Sequence, residues 1–126
     1  MVMEITKENF SEVIENNDIV LIDFWASWCG PCKAFAPIFE AAAEANPDIT
    51  FLKVNTEEQQ ELAAYFQIRS IPTLMAFREQ IIVFSQPGML PESAIKQLIS
   101  QVKELDMEKV RQDIAEQETS AQTGPA

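Results

Sequence analysis

The sequence predicts an α/β protein with a central mixed β-sheet of about five strands and helices on both faces of that sheet. Three observations predict this class. Runs of β-branched and aromatic residues without polar alternation are typical of strands that are covered on both sides, and apolar stripes at helical spacing lie between those runs. The order strand, helix, strand implies right-handed parallel crossovers. A chain of 126 residues with 47% hydrophobic residues can bury one such core.

The first half of the chain supplies the predicted centre of the sheet. Residues 19–26 (IVLIDFWA) are predicted to form the central strand, and residues 49–55 (ITFLKVN) a second buried strand. Ahead of them we expect an edge strand over residues 3–5. A helix capped by Thr6 should follow that edge strand and run to about Glu15.

The longest predicted helix follows the central strand. It starts at Pro31 and ends at the Asn-Pro-Asp cluster of residues 46–48. Pro37 lies inside this helix and cannot donate a hydrogen bond to the carbonyl of Lys33, so we expect a kink there. The stripe that this helix is expected to bury consists of Phe35, Ile38, Phe39 and Ala42.

The second half of the chain is predicted to complete the sheet and its cover. Residues 57–66 form a short helix, and residues 73–77 and 81–84 form an antiparallel hairpin despite the absence of an Asn-Gly turn. Residues 91–104 form another covering helix. We therefore predict one domain over residues 1–104.

An acidic segment follows this predicted domain. Asp106 can cap a further amphipathic helix that carries Val110 and Ile114, so residues 105–118 are expected to form an additional C-terminal helix. Residues 119–126 (TSAQTGPA) lack the apolar content that would order them and are predicted to be a disordered tail.

Charge and composition exclude several function classes. The formal net charge of −11 repels nucleic-acid phosphates and acidic lipids, so we expect neither nucleic acid nor membrane as a partner. The absence of histidine removes the commonest acid/base group and transition-metal ligand. The first residues, MVMEITKENF, carry charges before any apolar run could form. We therefore expect no secretory signal, no membrane anchor and a cytoplasmic location.

The two cysteines, Cys29 and Cys32, form a C-x-x-C motif at the start of the longest predicted helix. Residues three apart on a helix lie about 5 to 6 Å apart at Cβ, which a disulfide can bridge. A helix N-terminus stabilises a thiolate. Pro31 suits the first helical position, and Gly30 is expected to let the chain turn sharply into the helix. The motif should present Cys29 and place Cys32 one turn deeper.

Two other interpretations of the cysteine pair stay open. A tetrahedral zinc site needs four N or S ligands, and one chain supplies only two, so only a Cys₄ site shared by a dimer is compatible. The cysteines could also be incidental thiols. The strand, turn and Pro-started helix around C-x-x-C favour a redox motif instead, and no metal site is expected within one chain.

The sequence around the cysteines resembles that of the thioredoxin family. VLIDFWASWCGPCKAFAP, residues 20–37, is similar to the active-site signature of the family, and Ser70-Ile71-Pro72-Thr73 is similar to its cis-proline loop. The likeness covers about residues 1–104. It implies the thioredoxin fold and the activity of a protein-disulfide reductase.

The resemblance implies a role for each cysteine. Cys29 attacks a target disulfide to give a mixed disulfide, and Cys32 attacks that bond to release the reduced target. No cofactor is bound, because the Cys29–Cys32 disulfide itself carries the electrons. The implied partners are disulfide-containing target proteins and a thioredoxin reductase that supplies reducing equivalents from NADPH.

Asp23 is the predicted proton acceptor for Cys32. Burial of a carboxyl group in a strand raises its pKa, which suits proton transfer near neutral pH. From the residues alone Asp23 could instead be a structural aspartate at a strand end, but its match to the buried aspartate of the family favours the catalytic role. Lys53 matches the lysine that accompanies that aspartate, although it could also be a solvated lysine at a strand end.

A groove for the target is predicted beside the cysteines. The resemblance implies a cis bond before Pro72, which would turn the backbone of Ile71 outward so that an extended target segment can pair with it. Trp28 is expected to be a partly exposed wall of this groove, whereas Trp25 is expected to be mainly core. The predicted target-binding residues are Trp28, Gly30, Pro31, Ile71, Pro72 and Gly88.

Three segments depart from the family pattern. Arg78-Glu79-Gln80 replaces an Asn-Gly turn, Gln86-Pro87-Gly88-Met89 replaces Val-Gly-Ala, and an acidic helix follows Glu104. The second departure borders the groove and leaves the choice of partner open. Gly88 matches a glycine that lines this groove in the family, and it could also be a turn glycine.

Three function classes are weighed for this chain. A cytoplasmic disulfide reductase is the prediction. Oxidases and isomerases of the family more often carry a histidine between the cysteines, where this chain has Gly30 and Pro31. A redox-independent binding or chaperone-like subunit could use the same groove, but the intact thiol pair argues against this as the sole role.

Overall fold

The computed structural model describes the backbone of residues 1–123 and the side chains of residues 1–118. Five strands form one mixed sheet in the order β1-β3-β2-β4-β5. β2 lies at the centre, parallel to β3 and antiparallel to β4. The strands are β1 (Val2–Glu4), β2 (Ile19–Trp25), β3 (Thr50–Asn55), β4 (Thr73–Arg78) and β5 (Ile81–Pro87).

Helices cover both faces of this sheet. Alternate residues of β2 point to opposite faces, and they enter two separate cores. Leu21 joins a core with residues of the second and fourth helices, whereas Ile22 and Phe24 join a core with residues of the first and third. The predicted α/β class and thioredoxin fold are therefore confirmed. The helices of the described chain are α1 (Phe10–Glu15), α2 (Gly30–Ala45), α3 (Gln60–Tyr65), α4 (Glu92–Glu104) and α5 (Met107–Thr123).

Helices α1 and α3 are shorter than predicted, because asparagine side chains fold the residues before them into turns. The Oδ1 atom of Asn9 accepts the backbone N–H of Thr6 at 2.8 Å, so α1 begins at Phe10 and Thr6 does not cap it. The Oδ1 atom of Asn55 accepts the N–H groups of Glu57 and Glu58 at 2.9 and 3.3 Å, and α3 begins only at Gln60. Such hydrogen bonds from nearby backbone N–H groups to asparagine side chains compete with the first turn of a helix.

The β4–β5 hairpin is confirmed, and its turn explains how it forms without glycine. Glu79 and Gln80 have φ values of 51° and 69°, the left-handed conformation that a two-residue hairpin turn of type I′ requires at both central positions. The N–H of Glu79 donates to the carbonyl of Asp18 at 2.8 Å, which ties this turn to the chain before β2. β5 continues to Pro87, three residues beyond the predicted end.

Helix α5 is fixed at its first turn to the end of the sheet that lies away from the cysteines. The Oδ1 atom of Asp106 accepts the N–H of Lys109 at 3.2 Å, as expected for a cap, and Met107 is buried. One Nη atom of Arg78 donates to the carbonyls of Val102, Lys103 and Leu105 at the end of α4. Because Arg78 ends β4, this clamp sets where α5 begins.

The division of the chain into residues 1–104, 105–118 and 119–126 stays a prediction. Helix α5 reaches Thr123, past the predicted boundary at 118, and the last three residues of the predicted tail lie outside the described residues. Val110 and Ile114, which were expected on the inner face of this helix, are half-buried.

Candidate active site

The site lies where β2 ends and α2 begins. Cys29 is the N-cap of α2, with φ −88° and ψ 112°, and Cys32 lies in the first turn of that helix. The two residues form a disulfide with their Cα atoms 5.2 Å apart. The backbone N–H of Cys32 donates to the Sγ atom of Cys29 at 3.2 Å. The N–H group of Cys32, in the first turn of α2, therefore points at the sulfur of Cys29, where it stabilises a thiolate after reduction.

The two cysteines are equally covered in this oxidised state. Cys29 is 4% exposed and Cys32 is 3% exposed, which corrects the expectation that Cys29 is clearly more accessible. Ile71, Trp25 and Ala26 pack against the disulfide. The carbonyl oxygen of Ile71 lies 3.7 Å from the Sγ atom of Cys29. The loop before β4 therefore packs against the disulfide.

Gly30 and Pro31 lie in the first turn of α2, but at different helical positions from those predicted. Gly30 is the first helical residue and Pro31 the second. A Cβ atom at Gly30 would meet nothing within 4 Å, and its φ lies outside the left-handed region. The turn from strand into helix thus makes no steric demand for glycine here, because the N-cap Cys29 already has an extended conformation. Both Gly30 and Pro31 are exposed beside the disulfide.

Asp23 is buried in β2 on the same side of the sheet as the disulfide. It is 4% exposed, and burial raises its pKa from 3.8 to about 7, while the positive charge of Lys53 opposes part of that rise. Lys53 lies directly opposite Asp23 in the β2–β3 register. The Oδ1 atom of Asp23 is buried and accepts no hydrogen bond from the described residues. A carboxyl group in this state can take up or release a proton near neutral pH.

A small cavity connects Asp23 with the inner cysteine. It has a volume of about 130 Å³ and opens between β2, β3 and the first turns of α2. Its size is sufficient for a few water molecules, since one water occupies about 30 Å³ in the liquid. The structure thus brings three of the four predicted catalytic residues to one space. The lining residues are Asp23, Trp25, Cys32, Lys33, Ala36 and Lys53.

The loop before β4 supplies the other side of the site. The Ile71–Pro72 peptide bond is cis, as the resemblance implied. The carbonyl of Pro72 accepts the N–H of Gly88 at 2.8 Å, so the end of β5 is joined to this loop. Gly88 has φ +99°, a conformation that favours glycine. Pro72 is buried and Ile71 is half-buried.

The two tryptophans differ in exposure, and Trp25 is less buried than predicted. Trp28 is 69% exposed, which agrees with a wall of the groove. Trp25 is half-buried rather than plain core, because it lines the cavity of Asp23 and its ring lies 5.6 Å below the Nζ atom of Lys53. The sequence held one sign that Trp25 lies beside Asp23. The two residues are separated by one residue on a strand, and such residues share a face.

A larger groove of about 740 Å³ lies on the other face of the sheet, between α1, α3 and the β4–β5 hairpin. Its apolar floor includes Phe10, Phe66 and Phe77, and neither cysteine nor Asp23 lines it. Volume alone would therefore place the site wrongly, whereas the chemistry of the disulfide locates it.

Among the described residues, no helix is long and apolar enough to cross a membrane, and no cluster of three potential metal ligands occurs.

The fold and the disulfide together define a thiol–disulfide oxidoreductase. The family model named Thioredoxin matches residues 1–101. The chain is 59% identical over 119 residues to the Streptomyces coelicolor protein named "Putative thioredoxin 2", covering 94% of this chain and 89% of the relative. It is 41% identical over 102 residues to thioredoxin of Mycoplasma pneumoniae, covering 80% and 100% of the two chains. The chain belongs to the thioredoxin family.

Solved structures agree with this assignment. A mutant thioredoxin from Halobacterium salinarum superposes with a TM-score of 0.77 at 35% identity, covering 82% of this chain and 92% of that one. An oxidised thioredoxin from Plasmodium falciparum has a TM-score of 0.72 at 33% identity, covering 80% and 97%. The Mycoplasma relative is matched over its whole length by 80% of this chain. The Streptomyces match extends over 94%, so it takes in part of the segment beyond the family model.

Proposed function

We propose that Cys29 is the attacking thiol of a protein-disulfide reductase and Cys32 the resolving thiol. The observation that carries this assignment is the position of Cys29 at the N-cap of α2, with the N–H of Cys32 directed at its sulfur. The Cys29 thiolate attacks one sulfur of a target disulfide. A bond forms between Cys29 and the target, the disulfide of the target breaks, and one target thiolate leaves.

In the second step Cys32 resolves the mixed disulfide. Its thiol proton passes to the carboxylate of Asp23 through the shared cavity, and the resulting thiolate attacks Cys29. The Cys29–Cys32 bond forms, and the second target sulfur leaves as a thiolate that takes up a proton. Two electrons thereby move from this protein to the target. Lys53 keeps the pKa of Asp23 from rising further, so that part of the carboxyl groups is ionised near neutral pH.

The groove beside the disulfide is proposed to hold the target as an added strand. The backbone of Ile71 faces the sulfur of Cys29, and main-chain pairing at such a position is largely independent of the target sequence. Exposed Trp28 offers a flat apolar wall. Gly30 and Pro31 border the groove on the α2 side, while Pro72 and Gly88 hold its other side together through their hydrogen bond.

Turnover requires that another protein returns two electrons to the Cys29–Cys32 disulfide. We propose a thioredoxin reductase that draws on NADPH, acting in the cytoplasm. Membership of the thioredoxin family supports the class of this partner. No observation on the molecule favours the alternative of a redox-independent binding subunit.

Reduction of insulin disulfides by dithiothreitol tests this function. The purified protein is expected to accelerate the reaction, and Cys29→Ser should abolish the acceleration. After reduction and removal of dithiothreitol, Cys32→Ser should react once with insulin and accumulate a mixed disulfide, visible as a higher band on a non-reducing gel. Full activity of Cys29→Ser, or no mixed disulfide with Cys32→Ser, would refute the assignment of roles.

A further inference from the structure

The larger groove, between α1, α3 and the β4–β5 hairpin, is an apolar surface that the disulfide chemistry does not use. Aromatic rings form its floor. The ring centroid of Phe66 lies 5.3 Å from that of Phe10 and 6.0 Å from that of Phe77, and Phe77 is buried. Packing therefore fixes this floor in the free protein, and a surface that is formed in advance needs little ordering when a partner binds.

The walls of this groove expose large apolar side chains. Tyr65 on the α3 side is 77% exposed, and Ile82 on the hairpin side is 45% exposed. The surface is left bare because α1 and α3 have only six residues each. Contiguous exposed apolar surface marks interaction sites, and tyrosine is enriched at protein–protein interfaces. The larger groove thus has the composition of a docking surface.

The charge around the groove is negative at its hairpin end. Glu15 is the one charged residue among the described residues that line the groove. At this end the groove continues into a depression that Glu15 shares with Asp18 and Glu79. Arg111 pairs with Glu79, and Arg78 lies 3.8 Å from Asp18. Glu15 has no ion pair in the part of the chain whose side chains are described. An apolar partner with positive charge at this end is therefore complementary to the groove.

A second copy of this chain would fit the groove poorly. In a two-fold dimer the same surface of both copies forms the interface. The carboxylates at the hairpin end would then be repeated on both sides, and each chain carries a formal net charge of −11. Like charges on the two sides of an interface oppose association. The charge therefore favours a different protein as the partner.

An added strand along β5 would also fit poorly. β5 is an edge of the sheet, but its pairing with β4 is irregular. Ala76 pairs with Phe84 and Phe77 with Ile82, so Val83 is an extra residue on β5. Such a β-bulge bends an edge strand and hinders further pairing. The floor of the groove consists of side chains, which suits the apolar face of a helix.

We propose that the larger groove is a docking site for an amphipathic helix of a partner protein. The helix places apolar side chains at positions i, i+3 or i+4 and i+7 on the aromatic floor, and lysine or arginine beside Glu15. Neither cysteine lines the groove, so a docked partner leaves the disulfide accessible to targets. This contact is additional to the reductase activity and does not use the target groove beside the disulfide.

Selection from a peptide library tests the proposal. The probe is a displayed library of random peptides without cysteine, about 16 residues long, enough for about four helical turns. Selection on the oxidised full-length protein prevents capture by thiol exchange. We expect enriched peptides to carry apolar residues at helical spacing and a net positive charge, and to gain helical circular dichroism on binding. No enrichment over selection on Ile82→Ser, or enrichment of acidic peptides or of peptides without this spacing, would overturn the proposal.

Matched variants separate the apolar from the charged contribution. Ile82→Ser should weaken binding of an enriched peptide about fivefold or more. Met3→Ser, on the opposite edge of the sheet at 48% exposure, should leave the affinity unchanged. Both variants should still reduce insulin, which shows that they are folded. Equal loss of binding in the two variants would contradict docking in the groove.

Charge reversal provides the second pair of variants. Glu15→Lys should weaken binding about threefold or more at low salt, and the loss should shrink at high salt because salt screens the attraction. Glu44→Lys makes the same change of net charge on an exposed part of α2 and should have a smaller effect. Equal effects of the two reversals would mean that only the net charge matters and would refute the proposed contact at Glu15.

Two further measurements identify the occupant. In ¹⁵N spectra an enriched peptide should shift the amide signals of Ser11, Gln67 and Gln80, which line the groove, and leave the indole signal of Trp28 in place. Shifts at Trp28 alone would place the peptide in the target groove and overturn the proposal. Sedimentation of the concentrated protein should show a monomer. A dimer that Ile82→Ser dissociates would make a second copy the occupant and would overturn it as well.

Discussion

At the scale of single residues, the raised pKa of Asp23 means that ionisation of this carboxyl group lowers the free energy of unfolding. In the unfolded chain the group ionises near pH 3.8, whereas burial in the folded protein raises its pKa to about 7. Between these values the folded protein binds one more proton than the unfolded chain, so the free energy of unfolding falls as pH rises. The contribution of Asp23 is most favourable below pH 4 and is lost above pH 7.

Replacement of Asp23 should therefore stabilise the oxidised protein. We expect Asp23→Asn to raise the free energy of unfolding at pH 8 by a few kcal/mol, since one pKa unit corresponds to about 1.4 kcal/mol. At pH 4 the wild type and the variant should be nearly equal. Denaturant titrations at both pH values measure this difference, and a gain that is the same at both would contradict the burial of an ionising carboxyl group.

Gly30 provides a second prediction at this scale, because its surroundings leave room for a side chain. We expect Gly30→Ala to leave the free energy of unfolding unchanged or to raise it by up to about 1 kcal/mol, since alanine restricts the unfolded chain more than glycine does. Thermal denaturation checks the stability. If insulin reduction falls while stability does not, glycine is needed for contact with the target. Gly88→Ala, at φ +99°, is the matched control and should destabilise.

At this scale the sequence predicted the sulfur pair and the buried acid but missed that Trp25 lines the cavity beside Asp23. A pair of cysteines at the start of a helix and a carboxyl group within an apolar strand are both unusual. Cys29, Cys32 and Asp23 can therefore be recognised from one sequence. Trp25 is an aromatic residue in a hydrophobic strand, and such residues are mostly core. Its place in the wall of the cavity, under Lys53, could be recognised only from the structure.

At the scale of elements, the one fully buried side chain of α5 among residues 107–118 lies in its first turn. Met107 is 5% exposed, and Arg78 and Asp106 fix the junction with α4. The ion pair between Arg111 and Glu79 is exposed on both sides and adds little. The additional helix should therefore contribute to stability through its start rather than through its length.

This arrangement predicts different costs for two single changes. Met107→Ala should lower the free energy of unfolding by about 2 kcal/mol or more, because it removes a buried side chain. Arg111→Met should change it by less than about 1 kcal/mol. Truncation after Leu105 should lower the melting temperature about as much as Met107→Ala does. An unchanged melt after truncation would contradict docking of the helix.

The sequence located every strand and helix but misplaced several ends. The ends of α1 and α3 depend on whether Asn9 and Asn55 bond to nearby backbone, which competes with helix formation and leaves little trace in periodicity. The hairpin turn was predicted only from the two apolar runs around it, since Glu79 and Gln80 are unusual residues for a left-handed turn.

At the scale of the whole molecule, the formal net charge of −11 should influence which targets are met most often. A strongly charged protein attracts oppositely charged partners, and added salt screens this attraction. Two peptides with the same internal disulfide, one flanked by lysines and the other by glutamates, form a matched pair. At low salt the basic peptide should be reduced about threefold faster or more, and the difference should shrink at high salt. Equal rates at low salt would contradict long-range steering.

The topology of the whole molecule could be predicted from sequence because several independent features of the sequence agree. The buried runs, the crossover order and the C-x-x-C motif before an amphipathic helix all indicate the same arrangement. The cap at Asp106 also predicted where α5 begins. Its attachment to the sheet could not be predicted, because Arg78 and the carbonyls at the end of α4 that it contacts lie outside the hydrophobic pattern of this helix.

The hydrogen bonds of Arg78 to the end of α4 place the start of α5 far from the disulfide, which makes this start a suitable position for labelling the protein. Phe24, near the disulfide, pairs with Thr73 at one end of β4, whereas Arg78 holds the start of α5 at the other end. The five residue steps from Thr73 to Arg78 span about 16 to 17 Å. A fluorophore or a surface linker coupled to exposed Lys109, in the first turn of α5, would therefore report on or immobilise the molecule without obstructing the sulfur chemistry.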